Sequence, residues 1–158
     1  MPGTAPLVIP QLAPLYAVLA PATEALLRAV VGIALVPHGL RLFYGWFPGT
    51  GVDLGSFAAF CAMLDRSGYR PTWIWGALVY LTEFVGGPLL ALGLFTRPAA
   101  LAVSVLMCLS VVEHVRDGYF WNRQGIEYPA MWTAGALYFL ANGGGPISLD
   151  RLVLGFAF

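Results

Sequence analysis

Residues 73–115 read WIWGALVYLTEFVGGPLLALGLFTRPAALAVSVLMCLSVVEHV. Glu83 is the one charged residue before Arg97, and no further charge follows until Glu113. A helix that crosses a bilayer needs about 20 predominantly apolar residues. Trp73–Phe95 and Pro98–Val115 therefore each predict a membrane-spanning helix. Thr96-Arg97 leaves room only for a tight turn, so the two helices are antiparallel neighbours. Pro98 stands where a helix starts and its missing N–H is harmless. Gly86-Gly87-Pro88 interrupts the earlier helix. A proline there frees a carbonyl that neighbouring helices must satisfy, and the glycines permit a kink or a close approach.

The same reading extends in both directions. Ala22–Leu42 predicts a span that carries Glu24, Arg28 and His38. Ile126–Ala141 predicts a short one, which stands nearly upright or thins the bilayer. Met1–Pro21 is apolar but holds five prolines and no basic residue, so it lacks the positive start of a signal peptide. Asp53–Asp65 predicts a short helix at the interface, with Leu54, Phe57, Phe60, Cys61 and Leu64 on one side. Ser148–Phe158 is too short to cross, and Ser148 is placed to cap a brief helix lying on the membrane. The expected fold is all-α: a four-helix transmembrane bundle over residues 22–146. Interfacial segments cover 1–21 and 147–158. No internal repeat or second domain is visible.

Composition leads to the same place. Of the 158 residues 59% are hydrophobic and 10% charged, against about 45–50% and about 25% in soluble domains. Mean hydropathy is +0.77. Such a chain cannot cover its own core with polar surface, and it lacks the charge-rich signature of disorder. Eight arginines balance eight acids, which leaves no basic footprint for nucleic acid. Cys61 and Cys108, the two cysteines, form no CxxC pair and no disulfide framework.

The turn at Thr96-Arg97 and both chain ends fall on one face of the membrane, side A. The longer loops, about 43–72 and 116–125, fall on side B. Trp46, Trp73, Trp75 and Trp121 gather at side B as a structured aromatic cap. Arg41, Arg66, Arg70, Arg116 and Arg123 lie there too, against Arg97 and Arg151 at side A. The positive-inside count makes side B cytoplasmic.

Charges inside the hydrocarbon are costly, so each is a functional hypothesis that needs a partner. At about 1.5 Å per residue, the backbones of Arg28 and Glu83 differ in depth by about 6 Å. That is within reach of an arginine side chain, so Arg28 and Glu83 are expected to form an intramembrane ion pair. The pair reads either as a structural clamp or as a proton or ligand site. Nearer side B, His38, Arg41, Glu113, His114, Glu127 and Tyr128 lie at similar depths and can converge beneath the cap. His38, Glu83, His114, Glu127 and Tyr128 are candidates to line a pocket, with Arg41 and Glu113 in support. The alternative is a polar network that only locks the loops to the bundle. Two histidines at one depth on different helices could also hold haem. Neither stands in a ligand-spaced motif, which disfavours haem and metal alike. Phosphate cradles, HExxH and nucleophile elbows are absent, so no catalytic residue is assigned.

These residues resemble a known family. Arg28 followed by Pro37-His38-Gly39-Leu40-Arg41-Leu42-Phe43 is similar to the first-helix pattern of the DoxX family, with Arg41 where the family often has lysine. Glu83-Phe84-Val85-Gly86-Gly87, then Leu92-Gly93-Leu94-Phe95-Thr96-Arg97-Pro98-Ala99-Ala100, resembles its second-helix signature. His114, Gly118-Tyr119-Phe120 and Gly125-Ile126-Glu127-Tyr128-Pro129 look like its third loop. Gly143-Gly144-Gly145-Pro146-Ile147-Ser148-Leu149-Asp150-Arg151 is similar to its closing motif. The likeness runs over residues 22 to 151.

The resemblance implies a multi-pass protein of the bacterial cytoplasmic membrane with a link to redox chemistry. Relatives include the membrane subunit of thiosulfate:quinone oxidoreductase, and members proposed to join a thiol-redox complex with superoxide dismutase and a sulfurtransferase. The expectation is a subunit or partner of a quinone-linked oxidoreductase, itself not necessarily catalytic, that offers a polar pocket near one membrane face. Quinone is the ligand this favours. A membrane or peripheral redox subunit is the expected partner, and a homo-oligomer stays open. One alternative is a scaffold without a small-molecule site, whose polar residues only specify helix register. A small-solute transporter ranks last, since no inverted repeat is present.

Overall fold

A computed structural model describes residues 7–155. All regular structure among them is helical. Three helical stretches are long and apolar enough to cross a membrane: Pro10–Tyr44, Thr72–Leu92 and Thr96–Asp117.

The first stretch opens with a 3-10 turn, Pro10–Leu12, and runs into α1 (Ala13–Ile33) and α2 (Leu35–Tyr44). The helix thus begins at Ala13, well before the expected Ala22. Pro14 falls in its first turn, where no N–H is required. Pro21 lies inside α1, a position membrane helices tolerate better than soluble ones. Residues 1–6 of the expected N-terminal segment lie outside the described residues. The break at Ala34 follows from Pro37, which cannot donate to the carbonyl of Ile33.

After a loop, α3 (Phe57–Arg66) forms where the short interfacial helix is expected, capped by Ser56, whose Oγ accepts from Ala59 N at 3.2 Å. It buries Phe60 and Leu64 with Phe43 in a small aromatic core on the side-B half. α4 (Thr72–Leu81) continues through a π-helical segment, Thr82–Gly86, into α5 (Gly87–Leu92). Of the two readings of Gly86-Gly87-Pro88, close approach is what is found. A Cβ on Gly87 would lie 2.6 Å from Gly32 O, and one on Gly32 would collide with Gly87 O. α1 and α5 touch backbone to backbone at this point.

The turn to α6 (Thr96–His114) is Gly93–Phe95, with Gly93 and Phe95 in the left-handed region. Thr96-Arg97, expected to be the turn, instead starts α6. α7 (Glu127–Asn142) has 16 residues and packs along α6. The main core joins Val31, Leu35, Leu90, Val103, Ala136 and Phe139 from the helices on either side.

The C-terminal segment is drawn into the bundle rather than laid on its surface. Ser148 and Asp150 are buried. Asp150 accepts from Phe95 N at 2.6 Å, Thr96 N at 2.9 Å and Thr96 Oγ1 at 2.6 Å. It thereby supplies the acceptors that the first N–H groups of α6 lack.

Candidate functional site

The π-helical segment Thr82–Gly86 sets Glu83. One extra residue per turn leaves the i−4 ladder locally open, a feature frequent at functional sites. Thr82 Oγ1 donates to Leu78 O at 2.8 Å and steadies the wider turn. Glu83 then turns inward and is only 4% exposed. Gly39, next to His38 on α2, makes room for it. A Cβ there would lie 3.0 Å from Glu83 Oε2 and 2.8 Å from the Phe84 ring.

Glu83 lines a cavity of about 440 Å³ between α2, α3, α4, α6 and the start of α7. Its walls are apolar and aromatic, including Leu35, Phe60, Trp75, Val79, Met107 and Trp132. Its polar lining includes His38, Arg41, Glu113, His114 and Tyr128, so most of the expected cluster shares one space.

Several of these side chains are fixed by the fold. Arg41 Nη1 donates to Thr50 O at 2.8 Å, tying the loop after α2 across the cavity. His114 Nδ1 donates to Ser110 O at 2.8 Å, which leaves Nε2 as the nitrogen with a free lone pair in the neutral ring. Tyr128 stacks on Trp121 with ring centroids 5.7 Å apart. Trp132 Nε1 donates to Val31 O at 3.0 Å and pins α7 to α1.

Tyr69, which sequence reasoning passed over, also lines this space. It donates to Glu113 Oε1 at 2.6 Å and so latches the α3–α4 loop to the end of α6. That hydrogen bond, then burial, then the Glu113 charge, hold the Tyr69 phenol above its ordinary pKa. No local pattern marks Tyr69, because its partner is 44 residues away.

Two expectations are overturned. Glu127 is not on the cavity. As first residue of α7 it turns back to the preceding loop and accepts from Trp121 N at 3.1 Å. Arg28 and Glu83 do not pair. Arg28 turns toward side A, where its Nε donates to Ala91 O at 3.4 Å and its Nη2 to Ile147 O at 2.7 Å, and Nη1 bonds Gly144 O. The close packing of Gly93 against the guanidinium and the C-terminal loop claim it before it can reach Glu83. The sole ion pair among the described residues is the exposed Arg70–Asp65 contact at 2.8 Å.

Glu83 Oε2 and Arg41 Nε are buried, and neither has a hydrogen-bond partner. A buried unpaired polar atom is expensive, and such atoms are uncommon in native folds. Both belong to residues of the cavity wall. Among the described residues no group of three His, Cys, Asp or Glu side chains is arranged to hold a metal ion.

Apolar helices of spanning length surrounding a half-polar cavity define a membrane protein with an internal site for a small amphipathic molecule to occupy. The DoxX family model matches residues 23–114, more than half of the chain, and the chain belongs to the DoxX family. The match takes in Arg28, His38, Glu83 and His114. The loop and closing motifs after residue 114 lie beyond it. No curated protein and no solved structure matches the chain.

Proposed function

We propose that the chain is a four-helix subunit of a quinone-linked oxidoreductase complex in the bacterial cytoplasmic membrane, and that its cavity receives a quinone head group. α7 completes the bundle as the fourth span. At 16 residues it is short of the usual 20 or so, and local thinning of the bilayer accommodates it.

The observation that carries this reading is the cavity. Its volume of about 440 Å³ falls within the usual 300–1,000 Å³ or so of small-molecule sites. Aromatic and aliphatic walls suit a substituted ring and the start of its tail. Glu83 Oε2 and Arg41 Nε supply the few polar groups that would orient it. His38 and His114 stand further along the lining as proton-handling groups. A separate redox subunit is the partner this reading requires.

Trp75 and Trp132 line the cavity, so a bound quinone would quench their fluorescence. Titration of the protein in lipid nanodiscs with a decylbenzoquinone should give saturable quenching that Trp132→Phe diminishes. Quenching that rises linearly with quinone, as in empty nanodiscs, sinks the reading. The scaffold reading draws on a different observation: Arg28 and Asp150, two of the costliest buried charges, bind only backbone and Thr96. If quinone does not bind, that reading takes its place.

A further inference from the structure

The chemistry of the two unpartnered atoms restricts what the head group can be. Arg41 Nε is a donor and requires an acceptor. Glu83 Oε2 in an ionised carboxylate is an acceptor and requires a donor. Arg41 is the charged group that acts on Glu83, yet the two are not within ion-pair distance. A single group standing between them must therefore accept and donate at once. A hydroxyl does both. A quinone carbonyl only accepts, and would leave Glu83 Oε2 buried without a partner. An ether fails in the same way.

We propose that the Arg41–Glu83 end of the cavity selects a hydroxyl head group, so that the site holds a hydroquinone in preference to the corresponding quinone. This rests on the reading of the cavity given above. The hydroxyl would donate to Glu83 Oε2 and accept from Arg41 Nε. Gly39 matters to this geometry, since any Cβ there would meet Glu83 Oε2. Selection of the reduced form makes the chain a donor-side or holding site, one that retains the hydroxylated ring until a partner subunit takes it.

The test is competitive binding under anaerobic conditions in nanodiscs, with decylhydroquinone, decylbenzoquinone and the dimethyl ether of the hydroquinone. A hydrogen bond to a charged group is worth about tenfold in affinity or more. The hydroquinone should therefore bind about tenfold tighter than either other probe. In Glu83→Gln the amide can donate to a carbonyl, so the preference should flatten or reverse while thermal stability stays near wild type. Quinone binding as tightly as hydroquinone, or tighter, overturns the inference and leaves the cavity reading intact; it would mean that Glu83 is itself the donor. Failure of all three probes to bind overturns both. The wild-type comparison stands even where Glu83→Gln does not fold.

Discussion

The Asp150 carboxylate grips Thr96 twice, through its backbone N–H at 2.9 Å and its hydroxyl at 2.6 Å. It also takes Phe95 N at 2.6 Å. α6 begins without a side-chain cap of its own. The cap arrives instead from 54 residues further along the chain. Asp150 is fully buried, so nothing else can replace it. Asp150→Ala should lower unfolding free energy by about 2–4 kcal/mol, since it orphans several buried donors at once. Thr96→Ala, which keeps the backbone bond, should lose about 1 kcal/mol. Denaturant unfolding in mild detergent would measure both. Equal losses would mean that the hydroxyl bond, not the cap, dominates.

Gly32 and Gly87 are the second such contact. Cβ atoms at either position would press into the other helix's backbone carbonyl, which cannot rotate away. Gly32→Ala should destabilise by about 1–3 kcal/mol, the usual range for overpacking, and Gly87→Leu should exceed it. A thermal shift near zero for Gly32→Ala would show that α1 and α5 separate freely.

Arg28 and Glu83 should be energetically independent, since they share no partner. Arg28→Ala removes the donor from three carbonyls of α5 and the C-terminal loop and should destabilise by about 2–4 kcal/mol. A double-mutant cycle with Glu83→Gln should give a coupling within about 0.5 kcal/mol of zero. A coupling well above that would restore the ion pair.

The Tyr69–Glu113 latch sets an alkaline limit. The folded-state pKa of Tyr69 is raised, chiefly by the Glu113 hydrogen bond, above an unfolded value of about 10. Between the two values the folded chain keeps a proton that the unfolded chain has lost. The latch contribution is therefore whole below about pH 10 and fades as pH climbs through the folded value. Melting temperature followed across the alkaline range should fall more steeply for wild type than for Tyr69→Phe. Parallel curves would remove the latch from the account.

Much of this was legible in one dimension. The apolar runs around Glu83 announce helices of spanning length, because removal from water is a property each segment carries alone. The rarity of charge within them singles out Arg28, His38, Glu83 and His114 by the same token. The motif Glu83-Phe84-Val85-Gly86-Gly87 points to the family, and the glycines in it to a close approach. Depth along a helix, however, fixes one coordinate only. It placed Arg28 and Glu83 at similar levels and could not say which way either side chain turns.

What the sequence determined by itself is the solvent, the helices and the inventory of buried polar groups. Rotation about each helix axis, and the path of the loops, were decided only by tertiary structure. Packing of Gly32 on Gly87 sets the angle at which α1 meets α5 and turns Arg28 toward the C-terminal loop. The π-helical turn shifts Glu83 into the cavity, and the first turn of α7 aims Glu127 out of it. Asp150 and Tyr69 act on partners 54 and 44 residues distant, and no periodicity encodes such a contact. A side chain's depth is written in its own helix, whereas its partner depends on how every other helix packs around it.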